Sequence, residues 1–296
     1  GYNEAEALEQ AYIATAAYCG APRTSRAALE AWRCGPACEH VPHMTRVRQV
    51  LPHPAAADGS ALVGRLRGRC VVAFRGTADL AGWVQDLRSG WHAELGRHGM
   101  PCAHGGRPCW VGSGWLAVYS AIREHVKSNL SAIGCPPGAR VAFTGHSMGA
   151  AAAQLAMFDL GGQGYRVERS YVFGSPRTGD TTFAAAFEAR LGPKAVYRVN
   201  FRRDPVPHLP MEDLGFAHTP LEVFYPGDIA GGYATCRGRF EDKRCSGRYR
   251  DLAELILICV HRVQQCDHLR YMTALKTISM SGATCAAHMP AREVLV

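Results

Sequence analysis

Residues 140–160 read RVAFTGHSMGAAAAQLAMFDL. The first four form a short apolar run of the kind that makes a buried strand, and the run breaks at Gly145. From Met148 onward the segment is rich in Ala and Leu, which favour helix. Between strand and helix lies Gly145-His146-Ser147-Met148-Gly149, a G-x-S-x-G pentapeptide. In that context it reads as a nucleophile elbow. The turn is so tight that only small residues fit around the serine, whose hydroxyl is lifted to the top of the sheet. The amide of Met148 then points to where a carbonyl oxygen acquires charge, and the positive end of the helix adds to it. A glycine-rich turn with an incidental serine is the competing reading, and the flanking elements count against it.

Outward from this segment the pattern repeats. Short apolar runs at 70–75, 171–173, 196–200 and 221–225 read as buried strands, and 4–18, 114–133 and 182–191 read as helices. Such alternation predicts an α/β fold with a mostly parallel central sheet and helices on both faces. In such sheets the active site lies at the carboxyl ends of the strands. No repeat, low-complexity tract or linker splits the chain, so residues 1–296 are expected to form a single domain.

Composition narrows the setting. With 47% apolar residues the chain is ordinary for a globular protein. The most apolar runs, 149–160 and 252–260, are too short to span a bilayer. The chain begins at Gly1 without a basic and apolar leader, and is read as a mature or trimmed form. Twelve cysteines, even in number and scattered along the chain, fit an oxidising compartment. The expected location is therefore extracellular. Asn129-Leu130-Ser131 is an N-glycosylation acceptor pattern, meaningful only in a secreted chain. The net charge is +8, with basic clusters at Arg65, Arg67 and Arg69 and at Arg237, Arg239, Lys243, Arg244, Arg248 and Arg250. These make a solvated cationic surface, or a surface attracted to anionic lipid head groups or an acidic polymer. No basic block is interleaved with aromatics in the manner of a nucleic-acid module.

A serine hydroxyl needs a base, and the base needs an orienting acid. In this architecture they follow in the order Ser, Asp or Glu, His. Asp204 lies just past the strand at 196–200, with Asp213 as a more distant rival and an ordinary Asp-Pro turn as the plain alternative. Thirteen histidines offer many bases. His146 adjoins the serine and is expected to point away. His208 lies in a Pro-rich turn too near Asp204. Chain order favours His268, and periodicity alone does not separate it from His218 or His261.

Several blocks, in order, are similar to those of the class 3 lipase family, the fungal-type triacylglycerol lipases and their feruloyl esterase relatives. Val71-Val72-Ala73-Phe74-Arg75-Gly76-Thr77 resembles the family's oxyanion strand and loop, and Trp83 to Leu87 its W-x-x-D-L segment. Gly114-Trp115 resembles a G-F pair, with Trp in place of Phe. Phe173 to Asp180 resembles F-G-x-P-R-x-G-N, ending in Asp. Arg203 to Pro210 resembles the acid motif, and Asp267-His268-Leu269-x-Tyr271 the histidine motif. His218, Glu222 and Val223 match a structural block. The match runs from about residue 12 to 285 and is thinnest at 237–265.

The resemblance implies an α/β-hydrolase with Ser147, Asp204 and His268 as catalytic triad. It also implies an oxyanion hole from the backbone N–H of Met148 and the N–H and hydroxyl of Thr77, which is otherwise a plain strand-end residue. It places a lid over 78–88. There Leu80, Trp83, Val84 and Leu87 fall on one apolar stripe, which is either a mobile lid or a fixed amphipathic helix. Residues 252–260 are either a second surface-seeking segment or a core helix, with core the favoured reading. The expected reaction is hydrolysis of acylglycerol esters at a lipid interface, by a monomer, without metal or organic cofactor. Hydrolysis of feruloyl or phospholipid esters, and an inactive lipid-binding protein, are the alternatives.

Cysteine pairing follows the same resemblance. Cys34 and Cys38, followed by His40 and His43, have the density of a zinc site, but the family places a disulfide there. It also implies Cys19–Cys285 and Cys102–Cys109, and Cys236–Cys245 is a further local pair. Cys70 and Cys135 each precede a strand, and the two strands are expected to be neighbours, so these pair and leave Cys259 with Cys266.

Overall fold

The computed structural model describes residues 1–20, 26–52, 59–77, 92–249, 251–261, 265–271 and 285. Among these, a nine-stranded sheet forms the centre. We number its strands β1 Met44–Val50, β2 Ala61–Leu66, β3 Arg69–Phe74, β4 Arg140–His146, β5 Arg166–Val167, β6 Ser170–Phe173, β7 Val196–Phe201, β8 Leu221–Tyr225 and β9 Ala234–Arg237. The order is β1-β2-β3-β4-β6-β7-β8-β9, with β5 beside β4. The pairings from β3 through β8 are parallel. Those at the margins, β1–β2, β2–β3 and β8–β9, are antiparallel. The sheet is thus an α/β-hydrolase centre with antiparallel flanks.

The parallel strands are mostly apolar because both their faces are covered, and of their buried polar side chains Asn200 donates to Glu222 at 3.0 Å. In β3, Cys70, Val72 and Phe74 face one core, and Val71 and Ala73 face the other. On the second face lies helix α1 Glu4–Ala16, which presents Ala7, Ala11 and Ala14 to the sheet. Its start is fixed by Asn3, whose side chain accepts the N–H of Glu6 at 3.2 Å, and by Glu4 and Glu6 in the first turn. The first face is covered by α2 Ser113–Ala132, α3 Met148–Gly162 and α4 Thr181–Leu191. Helix α3 is buried from Met148 to Leu160, which is why it is apolar all round instead of amphipathic.

Two departures from the family pattern have local explanations. Trp115, where the family has Phe, donates its indole N–H to the carbonyl of Thr178 at 2.7 Å. A Cβ at residue 112 would lie 2.0 Å from that ring, so Gly112 makes room for the indole. Asp180, where the family has Asn, caps α4 by accepting the N–H of Phe183 at 2.7 Å. Asn caps a helix in the same way.

The structure joins Cys19–Cys285, Cys34–Cys38, Cys70–Cys135, Cys102–Cys109, Cys236–Cys245 and Cys259–Cys266. The Cys34–Cys38 bridge uses both thiols that a zinc site there would need. Asn129 sits in the last turn of α2, where its amide donates to the carbonyl of His125 at 2.8 Å.

One expectation is corrected. The apolar run at 252–260 forms a helix, α5 Leu252–His261, but not a core helix. Leu255 and Cys259 are buried, Leu252, Ile256 and Ile258 are half-buried, and Leu257 is 56% exposed. Leu252 and Ile256 pack against the main core while Leu257 turns outward, so the helix is covered on one side only. The lid candidates Leu80, Trp83, Val84 and Leu87 lie outside the described residues. No described helix is long and apolar enough to cross a membrane.

Candidate active site

Ser147 stands between β4 and α3 with φ 61° and ψ −132°, a strained conformation for a residue with a side chain. Two close approaches dictate the flanking glycines. A Cβ on Gly145 would lie 2.3 Å from the carbonyl oxygen of Gly149, and one on Gly149 would lie 2.3 Å from that of Phe74. The backbone of Ser147 is held by its N–H to Phe173 (3.0 Å) and by its carbonyl, which accepts from Ala150 (2.9 Å). The loop after β3 packs directly on the elbow: a Cβ on Gly76 would sit 3.1 Å from that of Ser147. Thr77 follows, half-buried, and Met148 opens α3 from a buried position.

Asp204 follows β7 in a turn closed by its N–H to Phe201. His268 Nδ1 donates to its carboxylate at 3.0 and 2.9 Å. The Val206 N–H donates to Oδ1 at 2.8 Å, and the Tyr271 hydroxyl donates to Oδ2. All three side chains are buried. Burial, and then the charge of Asp204, push the Tyr271 phenol well above its ordinary range, so it stays a donor. Ser147 Oγ and His268 Nε2 are both buried and, among the described residues, have no hydrogen-bond partner. The structure thus brings Asp204 and His268 together, while no hydrogen bond joins Ser147 Oγ to His268 Nε2.

The other candidates are engaged elsewhere. His218 Nε2 donates to the carbonyl of Pro207 at 2.8 Å and lies 3.2 Å from Glu241. His261 ends α5 and is exposed, as is Asp213. His146 does not point away as expected. Its Nε2 donates to the backbone carbonyl of His268 at 2.8 Å, its Nδ1 accepts from the Tyr18 hydroxyl at 2.9 Å, and the two imidazole rings lie 4.3 Å apart. The contact supports the backbone of His268 from below. Sequence reasoning also gave Tyr271 no role. Its place three residues after His268, the spacing of one helical turn, was the available signal.

Arg177 anchors the turn that follows Asp204. Buried, it donates to the carbonyls of His208 and Pro210 and pairs with Glu241 and Glu212. This accounts for the arginine in the Phe173 to Asp180 block.

Gly174 lines the same site, with φ +53°. A Cβ there would lie 2.8 Å from Asp204 Oδ2 and 2.9 Å from His268 Cε1. Gly174→Ala is therefore expected to displace the pair and lower kcat about 10²-fold, the order of loss for a 1 Å misplacement. Steady-state kinetics on a soluble ester would show it, and an unchanged kcat would contradict this geometry.

Three histidines, His146 and His218 buried and His208 half-buried, resist protonation. Burial, and then the charge of His268, hold His146 well below the usual imidazole range. Burial lowers His208 as well, and burial with the nearby Arg198 holds His218 down to about 4. The unfolded chain binds these protons below pH 6.5 and the native chain refuses them. Their contribution is therefore whole above pH 6.5 and is lost as pH falls, at about 1.4 kcal/mol per pH unit for each refused proton. Glu212 is pushed up to about 7 by its hydrogen bond with Glu241 and by desolvation, and, being exposed, offsets this only in part. The unfolding midpoint is expected to fall by about 10 °C or more between pH 6.5 and 4. A flat profile in scanning calorimetry would refute this.

The family model for Lipase (class 3) matches residues 71–214. The chain is 31% identical over 175 residues to the secreted mono- and diacylglycerol lipase A of Penicillium cyclopium, covering 56% of this chain and 51% of that one. It is 31% identical over 205 residues to a lipase of Rhizomucor miehei, covering 68% and 51%. The chain thus spans about half the length of the curated relatives it matches. The crystal structure of a lipase from Rhizopus microsporus var. chinensis superposes with a TM-score of 0.69 at 25% identity, over 95% of this chain and 88% of that one.

Proposed function

Because the chain belongs to the class 3 lipase family, we propose that it is a secreted serine ester hydrolase that cleaves acylglycerol esters at a lipid interface. Ser147 is the nucleophile, His268 the general base and Asp204 the orienting acid. The observation that carries this reading is the buried His268–Asp204 hydrogen bond beside a strained serine whose hydroxyl has no described partner.

The chemistry is acyl transfer in two steps. Ser147 Oγ attacks the ester carbonyl carbon as His268 Nε2 takes its proton. The carbonyl π electrons move onto oxygen, which the N–H groups of Thr77 and Met148 stabilise. Collapse breaks the ester C–O bond, and the alcohol leaves with the proton from His268. Water, deprotonated by His268, then attacks the acyl-enzyme, and the acid leaves as Ser147 regains its proton. Throughout, Asp204 keeps the proton of His268 on Nδ1 and offsets the imidazolium charge. Losing one oxyanion donor would cost about 10²-fold or more in kcat.

Interfacial action is supported by the closed site. Ser147 and His268 are 2% and 0% exposed, so substrate reaches them only after a rearrangement. Secretion is supported by six disulfides and by the relatives named as secreted. The deciding experiment compares hydrolysis of emulsified medium- and long-chain triglycerides with that of methyl ferulate and a phospholipid. Turnover of the triglycerides, rising sharply above the solubility limit of a short one, is expected. Turnover of ferulate or phospholipid alone would leave the mechanism standing and overturn the substrate.

A further inference from the structure

The exposed side of α5 is not explained by the catalytic site. Leu257 stands 56% exposed, with Ile256 and Ile258 half-buried on either side of it. Next to it, between α5 and the turn bearing Asp204, is a cleft of ≈ 250 Å³ whose lining includes Leu255, Ile258, Arg202, Arg203, Asp267 and Arg270. Asp267 accepts the N–H of Arg203 at 3.2 Å and lies 4.0 Å from the Arg202 guanidinium. Glu254, on α5, pairs with Arg203 at 3.0 Å. Among the described residues, three guanidinium groups and two carboxylates meet here, and the cleft mouth is rich in arginine. Arg202 is held at φ +45°, a conformation that a residue with a side chain adopts only under constraint.

We propose that α5 and this arginine cleft form a docking surface for an anionic lipid interface. The apolar ridge centred on Leu257 enters the acyl region, while Arg202, Arg203 and Arg270 meet phosphate or carboxylate head groups. This deepens the proposed function and rests on it. Three observations select lipid as the occupant. An apolar helix side beside an arginine-rich rim matches the two layers of an anionic membrane surface. The net charge of +8 adds long-range attraction of the same sign. And the Cys259–Cys266 bridge ties α5 to the residue two before His268, so a surface held by α5 is held beside the catalytic histidine.

The test is co-sedimentation of the Ser147→Ala chain, which leaves the lipid intact, with phosphatidylcholine vesicles with and without phosphatidylserine. Binding is expected to be stronger with phosphatidylserine and to weaken with salt. Adding Leu257→Asp should lower partitioning about tenfold, the burial of one leucine. Arg270→Gln should lower it about fivefold on the anionic vesicles alone. In the chain that keeps Ser147, Leu257→Asp should leave hydrolysis of a soluble short-chain ester unchanged, and Leu257→Ser serves if the aspartate disturbs the helix. Binding that ignores phosphatidylserine, or that survives both Leu257 substitutions, overturns the proposal. Failure of soluble-ester hydrolysis in the unmodified chain would instead overturn the enzymatic reading, and vesicle binding would still be judged on its own.

Discussion

Ser147→Ala is expected to lower kcat on any ester substrate by about 10⁶-fold while leaving the fold intact. The two halves of that statement have separate grounds. Activity is lost because the hydroxyl is the atom that forms the acyl-enzyme, and no other side chain stands at the elbow to replace it. What remains is the rate that oriented binding and the oxyanion donors give water, about 10³- to 10⁴-fold over the uncatalysed reaction. Stability is kept because Oγ has no hydrogen-bond partner among the described residues, so removing it orphans nothing. Alanine keeps the Cβ, so the strain at φ 61° is the same before and after. The unfolding free energy should change by less than about 0.5 kcal/mol. Covalent labelling by an organophosphonate should disappear with the activity. Residual turnover above a hundredth of the original would mean that the nucleophile lies elsewhere.

The elbow was legible because its constraints are local. Gly145 and Gly149 are required by contacts within one strand, one turn and the start of one helix, and the sequence around them states all three. Asp204 was nearly as legible, since the turn after a parallel strand is where an acid is needed. His268 was legible only through chain order and the resemblance, because nothing in its neighbours distinguishes it from His218 or His261. The structure separates them by what surrounds each ring. His218 Nε2 is spent on Pro207 and Glu241, whereas His268 Nδ1 is held by the carboxylate of Asp204.

The supporting residues were not legible, and the reason is distance along the chain. His146 holds a carbonyl 122 residues away, and Tyr271 donates to a carboxylate 67 residues away. No periodicity encodes such pairings; they appear only when β4, β7 and the histidine turn meet. Helix α5 misled for a related reason. A nine-residue run almost wholly apolar reads as core, yet burial depends on what packs against it, and here Leu257 is left exposed. The antiparallel flanks of the sheet were also unread, because β1, with Thr45, Arg46, Arg48 and Gln49 in it, lacks the apolar run by which the central strands were found.

Asp204→Asn should cost about 10⁴-fold in kcat with little change in KM, through the tautomer of His268 and not through lost contact. The carboxylate now accepts from three donors: His268 Nδ1, the Val206 N–H and the Tyr271 hydroxyl. An amide of the same shape has one oxygen to offer. The Val206 N–H is a fixed backbone donor and claims that oxygen at the Oδ1 position. The NH₂ group then falls at the Oδ2 position, 2.9 Å from Nδ1, where the Tyr271 hydroxyl can turn to accept one of its hydrogens. A donor facing Nδ1 favours an imidazole that carries its hydrogen on Nε2, the nitrogen that must be bare to take the proton of Ser147. The charge that stabilised the imidazolium is lost as well. Tyr271→Phe removes one donor and keeps the carboxylate, so it should cost far less, within about tenfold. Measured side by side on a soluble ester, the two variants separate orientation and charge from packing. Equal, small losses would show that Asp204 is not the acid that orients the base.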